Sequence, residues 1–360
     1  MVDLFGNPDP VEVEEEVVVE EIVSAEVDEA SVRPLIGHGN ELHQVQQWWK
    51  DGRFPHGLIL HGHYGIGKSV MALHLAGMIL GHEGDDKKAL LQRIAQGGHP
   101  DFLKIGREWD DRKNKPKDEV SVAAIRQVPE FLRKTAAEGG WRVVLIDDAD
   151  CMNRNAQNAL LKSLEEPPKK TVLILVCHQI GSLIPTIGSR TQDVMLSPLT
   201  HENIRTILHQ EQMNELFPLA LELSNGSAGQ ALQWLESDIL SDVVEVLDSL
   251  HSMTHASSAQ ILPITQKMGV MQDGLGLWKV IILILELAMI GKAKSQDSFL
   301  AHALPPHAQD NVTCWINGKD LDQLMEIRDK LEQHVQECET AHLDKYILAD
   351  KGIRILRQVA

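Results

Sequence analysis

Gly62-His63-Tyr64-Gly65-Ile66-Gly67-Lys68-Ser69 follows the apolar run Gly57-Leu58-Ile59-Leu60-His61 and opens a stretch, Lys68 to Leu80, whose Val70, Leu73, Ala76 and Ile79 recur at helical spacing. The pattern G-x-x-x-x-G-K-[ST], entered from a strand and left by a helix, is that of a phosphate-binding loop. Glycines let the backbone wrap an anion, and the loop N–H groups with the positive end of the helix hold it. Lys68 supplies a point charge for the outer phosphates, and Ser69 a hydroxyl for Mg2+. The predicted nucleotide-binding residues are therefore Gly62, Gly65, Ile66, Gly67, Lys68 and Ser69, with ATP or ADP and Mg2+ as the cofactors. A chance glycine-rich turn is the rival reading, and the flanking strand and helix weigh against it.

Working outward, residues 35–197 alternate apolar runs with helical stretches, which predicts βα units and a largely parallel sheet. Pro100–Ile105, Arg142–Ile146 and Thr171–Val176 read as strands, and Ser121–Thr135 and Asn153–Glu166 as helices, the latter stopped by Pro167-Pro168. Val143-Val144-Leu145-Ile146 ends in Asp147, the predicted carboxylate on the Mg2+ side of the nucleotide. Asp148 follows, and Asp150 reads as an acid that solvates the strand end. Beyond Pro198 the pattern is helical only: Thr200–Gln212, Ala228–Leu240, Leu277–Ile290, Lys319–Glu337 and His342–Arg357, with loops near Gly269–Gly276 and Pro305-Pro306. The expected organisation is a flexible acidic tail (1–30), a nucleotide-binding α/β domain (31–198), a small helical lid (199–241) and a helical C-terminal domain (242–360).

Composition narrows the class. Of 360 residues, 43% are hydrophobic and 24% charged, which excludes wholesale disorder. The four cysteines lie far apart, against a disulfide framework. Residues 1–30 hold eleven acids and no Lys or Arg; taking those eleven from the formal charge of −18 leaves −7. So modest a balance gives no support for a free-standing DNA-binding protein. The apolar run Val280–Leu285, continuing to Ile290, is shorter than a bilayer crossing requires, and the acidic N-terminus has no signal-peptide pattern, so a cytoplasmic chain with no membrane partner is expected.

The run Asn155-Ala156-Gln157-Asn158-Ala159-Leu160-Leu161-Lys162-Ser163-Leu164-Glu165-Glu166-Pro167-Pro168 is, by period, an amphipathic helix with Ala156, Leu160 and Leu164 inward. Together with the phosphate loop, the Asp147 strand and Ser189-Arg190-Thr191, it resembles the clamp-loader subunits of bacterial DNA polymerase III, and within that family the delta-prime type. Gly98-His99-Pro100-Asp101-Phe102 and Ala136–Val144 resemble delta-prime segments as well, and the resemblance covers roughly residues 35–235. It implies an AAA+ P-loop module, an α/β domain on a parallel sheet, followed by an all-helical lid and an all-helical collar that joins a hetero-oligomeric ring. The implied partners are gamma/tau and delta subunits, with the sliding clamp and primer-template DNA reached through the complex, in the bacterial cytoplasm at the nucleoid-associated replisome.

The family's Ser-Arg-Cys motif puts an arginine against ATP held by the neighbouring subunit, which makes Arg190 the implied finger in trans; an exposed loop arginine is the bland reading. Thr191 replaces the cysteine. Two departures argue against turnover by this chain: Asp148 stands where active members carry a glutamate one methylene longer, and Gly229 stands where a lid arginine falls in motors. The implied role is a stator that binds ATP and hydrolyses it poorly or not at all. A gamma/tau-like motor subunit is the alternative, and a small-molecule P-loop kinase a more distant one. Many relatives carry a four-cysteine zinc site after the P-loop helix; residues 81–120 hold no cysteine, and His74, His82 and His99 form no recognisable ligand set, so no zinc is expected.

Trp48-Trp49 reads as packing rather than a base-stacking platform, and Val280–Leu287 as a buried collar helix. Two positions stay open: His178 as a phosphate sensor or a satisfied strand-end histidine, and Arg154 as a DNA contact or a solvated helix end. A self-repelling acidic tail buries no core. Deleting residues 1–30 is therefore expected to move the thermal midpoint by less than about 2 °C in calorimetry; a larger fall would show that the segment docks.

Overall fold

The computed structural model describes residues 33–357 apart from 111, 113–114, 139, 209–212, 256–257, 271–273, 295–301 and 342–343. The acidic segment 1–30 lies outside the described residues. In chain order the strands are β1 (Gly57–His61), β2 (Phe102–Ile105), a short antiparallel ribbon of β3 (Trp109–Asp110) and β4 (Lys115–Pro116), β5 (Arg142–Ile146), β6 (Thr171–Cys177) and β7 (Gln192–Met195). Five of them form a single all-parallel sheet in the order β2-β5-β6-β1-β7.

Both faces of that sheet are covered, which is why its inner strands read as unbroken apolar runs. The odd-even alternation of a strand sorts the residues. Leu58, Leu60, Val143, Leu145, Val172 and Ile174 point into one core, shared with α2 (Lys68–Leu80) and with Val45 of α1 (Gly39–Lys50). Ile59, Val144, Ile146, Leu173 and Leu175 point into the other, shared with α4 (Val122–Arg133) and α5 (Arg154–Glu165). In α5 the inward residues are Ala156, Leu160 and Leu164, all essentially inaccessible. Ser121 and Asn153 cap α4 and α5 by accepting the N–H groups of Ala124 and Ala156. Ahead of α4 runs α3 (Lys87–Ala95), which packs on α2, and after α5 the single turn α6 (Pro185–Gly188) precedes β7. Trp48 and Trp49 pack against the first core, Trp49 edge-on to Phe54 at 5.5 Å and tilted on Trp141 at 5.1 Å.

Past the sheet, α7 (His201–Ile207), α8 (Phe217–Leu223) and α9 (Ala228–Leu235) enclose a small core of Leu199, Ile204, Leu208, Phe217, Leu221, Ala228 and Ala231. The opposite face of α8 gives Leu219, Ala220 and Leu223 to a larger core formed with α10 (Ile239–His255), α12 (Gly274–Ala293) and three later helices, Pro306–Asn317, Leu321–Ala341 and Lys345–Arg357. The architecture among the described residues is thus an α/β module on a parallel sheet, with the glycine-rich loop after β1, followed by helices.

Several sequence expectations shift. The division placed at 241/242 falls inside α10; the chain turns at 236–238 instead. The loop expected at Gly269–Gly276 is helical at both ends, because α11 (Ser258–Val270) runs through Gly269 and α12 begins at Gly274. Gly269 marks close packing: a Cβ there would stand 2.2 Å from the Tyr346 ring. Pro306 starts a helix as its first residue, where a missing N–H costs nothing. The apolar segment near 280–290 extends to a 20-residue helix of mean hydropathy 2.0, so length alone does not bar a crossing. Packing identifies it, since Leu277, Trp278, Val280, Ile281, Ile284 and Leu285 lie within the large core.

Trp278 is fully buried, and a Cβ on Gly352 would meet its ring at 2.3 Å. Gly352→Ala is therefore expected to destabilise the fold by about 1–3 kcal/mol in urea unfolding, through overpacking.

Candidate nucleotide site

β1 delivers the chain to the carboxyl end of the sheet, where Gly62–Gly67 turn it into α2. The turn needs left-handed backbone at Gly67 (φ 102°), directly before the helix. Lys68, the first residue of α2, is 4% exposed, and its Nζ donates to the carbonyls of Gly62, at 2.9 Å, and His63. Of the three ammonium donors, two thus fix the head inside the loop and one remains for an anion. Burial lowers the Lys68 pKa, and the nearby carboxylates of Asp150, Asp147 and Asp148 oppose the fall. Cys177 also borders it, but burial first, then Asp150, pushes that thiol up to about 12. A thiol neutral at pH 7 is no counter-charge; the aspartates are.

Ser69 Oγ donates to Asp147 Oδ1 at 2.9 Å, which joins the P-loop helix to the end of β5. Asp147 is fixed by its own N–H on the Ile105 carbonyl at 2.7 Å, and Lys104 Nζ lies 3.4 Å from its Oδ2. The structure therefore gathers Lys68, Ser69 and Asp147 in one place, as their sequence positions predict. Ile66 contributes only backbone, because its side chain is fully buried in the core. Its carbonyl accepts from His38 Nε2 at 2.7 Å, and His38 holds left-handed backbone (φ 58°) at the start of α1.

Asp148 is not free to act as a base. It also sits in the left-handed region (φ 51°), which aspartate tolerates, and its Oδ2 accepts from Arg107 Nε at 2.7 Å. That hydrogen bond raises the Arg107 pKa. Asp150 does not simply solvate a strand end: its Oδ2 accepts the N–H groups of His178 (3.0 Å) and Gln179 (3.1 Å), fastening the turn after β6. His178 lies between Asp150, 3.5 Å from Nδ1, and the Tyr64 ring, stacked at 5.4 Å.

The lid closes on the loop through glycines. Gly229 N–H donates to the Gly65 carbonyl at 2.9 Å, and a Cβ on Gly229 would stand 2.8 Å from Gly65 Cα. No side chain, least of all an arginine, fits between them.

Arg190 is at the other end of the sheet. It lies two residues before β7, whose Gln192 pairs with Leu58 near the start of β1, and its carbonyl faces Gly57. The five residues of β1 separate it from the P-loop by roughly 16 Å along the strand. Its Nη1 donates to the Thr186 carbonyl (2.9 Å) and Ser189 Oγ (3.0 Å), and its Nη2 pairs with Glu165 Oε1 at 2.9 Å. Thr191 fills the cysteine position by donating its hydroxyl to the Ile187 carbonyl at 2.9 Å. Arg154 begins α5 and is exposed.

Sequence reading missed His38, Lys104, Arg107 and Glu165. Gly37-His38-Gly39 is a weak turn signal for the first; the others act through partners distant along the chain. A nucleotide with Mg2+ fits the donor set, since an anchored ammonium, a hydroxyl on a carboxylate and a glycine turn converge at one helix start. Lys68 and the loop N–H groups would hold phosphates and Ser69 with Asp147 the metal, which when bound neutralises phosphate charge.

Residues 37–200 match the family described as DNA polymerase III, delta subunit. Among curated relatives, the DNA polymerase III subunit delta' of Pseudomonas aeruginosa is 42% identical over 142 residues, 38% of this chain and 41% of that one. The subunit delta' of Escherichia coli K12 is 32% identical over 197 residues, 53% of this chain and 57% of that one. The chain thus spans about half the length of the curated relatives it matches. Among solved structures, a DNA polymerase III gamma subunit-related protein of Thermotoga maritima aligns over 88% of this chain and 99% of its own, with 20% identity and a TM-score of 0.44. Over its sheet-bearing part the chain resembles the delta-prime subunit of bacterial DNA polymerase III.

Because the Gly65–Gly229 approach leaves no space, Gly229→Arg is expected not to confer ATPase activity on the chain. It should also lower stability by about 1–3 kcal/mol, read by thermal unfolding; gain of turnover would mean that the lid has room to open.

Proposed function

We propose that this chain is a delta-prime-like subunit of a bacterial DNA polymerase III clamp loader, a stator that lends Arg190 to a neighbour's ATP and helps load the sliding clamp on primed DNA. The observation that carries this reading is the position of Arg190: it lies at the amino end of the parallel sheet, a strand length from its own P-loop. An arginine there serves a nucleotide only if another subunit holds it. At that boundary a guanidinium stabilises charge developing on the terminal phosphate, as an arginine finger does.

Its own site supports binding without turnover. Lys68, Ser69 and Asp147 are arranged for ATP or ADP with Mg2+, whereas Asp148 is occupied by Arg107 and the lid offers Gly229 in place of a cation. Positioning a water for attack is most of what hydrolysis requires, and the carboxylate directly after Asp147 is held by Arg107. The intact P-loop is what the motor-subunit alternative has in its favour, and it argues for binding alone. In this reading the partners are gamma/tau and delta subunits in a hetero-oligomeric ring. The clamp and primer-template DNA are reached through that ring, and the place of action is the cytoplasmic replisome.

The purified chain is expected to show no ATP turnover above background, while Arg190→Ala leaves its folding and assembly intact and lowers the ATPase of the reconstituted loader at least about 10-fold. Vigorous turnover by the isolated chain, or an unchanged loader with Arg190→Ala, would overturn the reading.

A further inference from the structure

We infer that Glu165 is a positioning residue for the Arg190 guanidinium, an inference that rests on the finger reading above. A guanidinium carries five N–H donors. Two are committed as hydrogen bonds within this chain, from Nη1 to the Thr186 carbonyl and Ser189 Oγ, and Nη2 forms an ion pair with Glu165 Oε1 at 2.9 Å. Nε makes no hydrogen bond among the described residues, and together with Nη2 it can fork toward an oxyanion outside. Arginine is a long, mobile side chain, and one already held in register loses less freedom when it docks on a phosphate.

The glutamate is itself firmly placed. It is the last residue of α5, after buried Leu164 and ahead of the diproline that ends the helix. The Leu164 carbonyl accepts from His56 Nε2 at 3.1 Å, tying the end of α5 to the start of β1. Gly57 then brings the finger loop against the same point: a Cβ there would lie 2.8 Å from Thr191 Cγ2, 3.1 Å from Leu164 Cδ2 and 3.2 Å from the Arg190 carbonyl. Helix end, strand start and finger loop therefore form one junction, and Glu165 is the side chain that reaches from it to the guanidinium. The pair is partly exposed, with Arg190 at 33% and Glu165 at 47%. Exposed ion pairs add little to stability, so the aim of the arginine, rather than the fold, is what Glu165 sets.

The test is steady-state ATPase of the loader reconstituted with full-length Glu165→Ala, Glu165→Gln or Arg190→Ala chains, with melting temperatures of each. Glu165→Ala is expected to lower kcat about 10-fold with KM for ATP and melting temperature unchanged. Glu165→Gln, which keeps an acceptor oxygen at the same reach, should restore most of it. If Arg190→Ala lowers kcat and Glu165→Ala does not, the finger stands and the positioning role falls. A rise in kcat with Glu165→Ala also overturns it, since the glutamate would then hold the arginine back, as would Glu165→Gln losing as much as Glu165→Ala. If Arg190→Ala has no effect, the finger reading fails and takes this one with it.

Discussion

A parallel sheet has two ends that cannot exchange places, and the remainder of this molecule follows from that constraint. Because β1 runs with β6 and β7 in register, everything leaving the carboxyl ends of the strands gathers around the P-loop, and everything entering at the amino ends gathers around Gly57. Lys68, Asp147 and Asp150 belong to the first group; Arg190, Glu165 and Thr191 belong to the second. The apolar packing on both faces holds the two groups a strand length apart. No rearrangement of one loop lets a single chain place its own arginine on its own nucleotide, so chemistry that needs both ends needs two chains.

The features that separate phosphate binding from phosphate cleavage are likewise geometric. Asp148 occupies a left-handed turn that suits a short acid, and its carboxylate is engaged by Arg107. At Gly229 the lid occupies the space that a side chain would need, and its N–H donates a backbone hydrogen bond to the loop. The Gly65–Gly229 contact therefore couples lid to loop through two residues without side chains; a Cβ at Gly229 would meet Gly65 Cα at 2.8 Å, and one at Gly65 would meet Ser227 Oγ at 2.4 Å.

Much of this was legible in the sequence, for a physical reason. β1, β5 and β6 are buried on both sides, so their residues must be apolar throughout, and their ends coincide closely with the runs. The trio Lys68, Ser69 and Asp147 was legible because each type is demanded by phosphate and metal chemistry at a strand or helix end. β7 was not: Gln192-Asp193-Val194-Met195 is an edge strand whose Val194 alone is buried. Nor was α3, with only Ile94 buried. The helical part blurred at Gly269, which reads as a loop residue by sequence but lies within a helix, where its missing side chain admits the Tyr346 ring. Arg107 with Asp148, and Glu165 with Arg190, were invisible because the pairs meet only once the sheet brings distant segments together.

A P-loop kept intact in a chain proposed to bind nucleotide without cleaving it would still contribute to the fold. A ligand that binds only the folded form stabilises it by mass action, by about 2.7 kcal/mol at a hundredfold excess over Kd. Here the groups such a ligand would touch come from α2 and the end of β5, and the lid root at Gly229 and His38 ahead of α1 both bond to the carbonyls of the same loop. Nucleotide held there would tighten four segments at once without being consumed. In a subunit whose proposed contribution is the fixed aim of one guanidinium at the far end of the sheet, stiffness is the property that matters. A phosphate site that clamps without cleaving supplies stiffness, and cleavage would periodically release it.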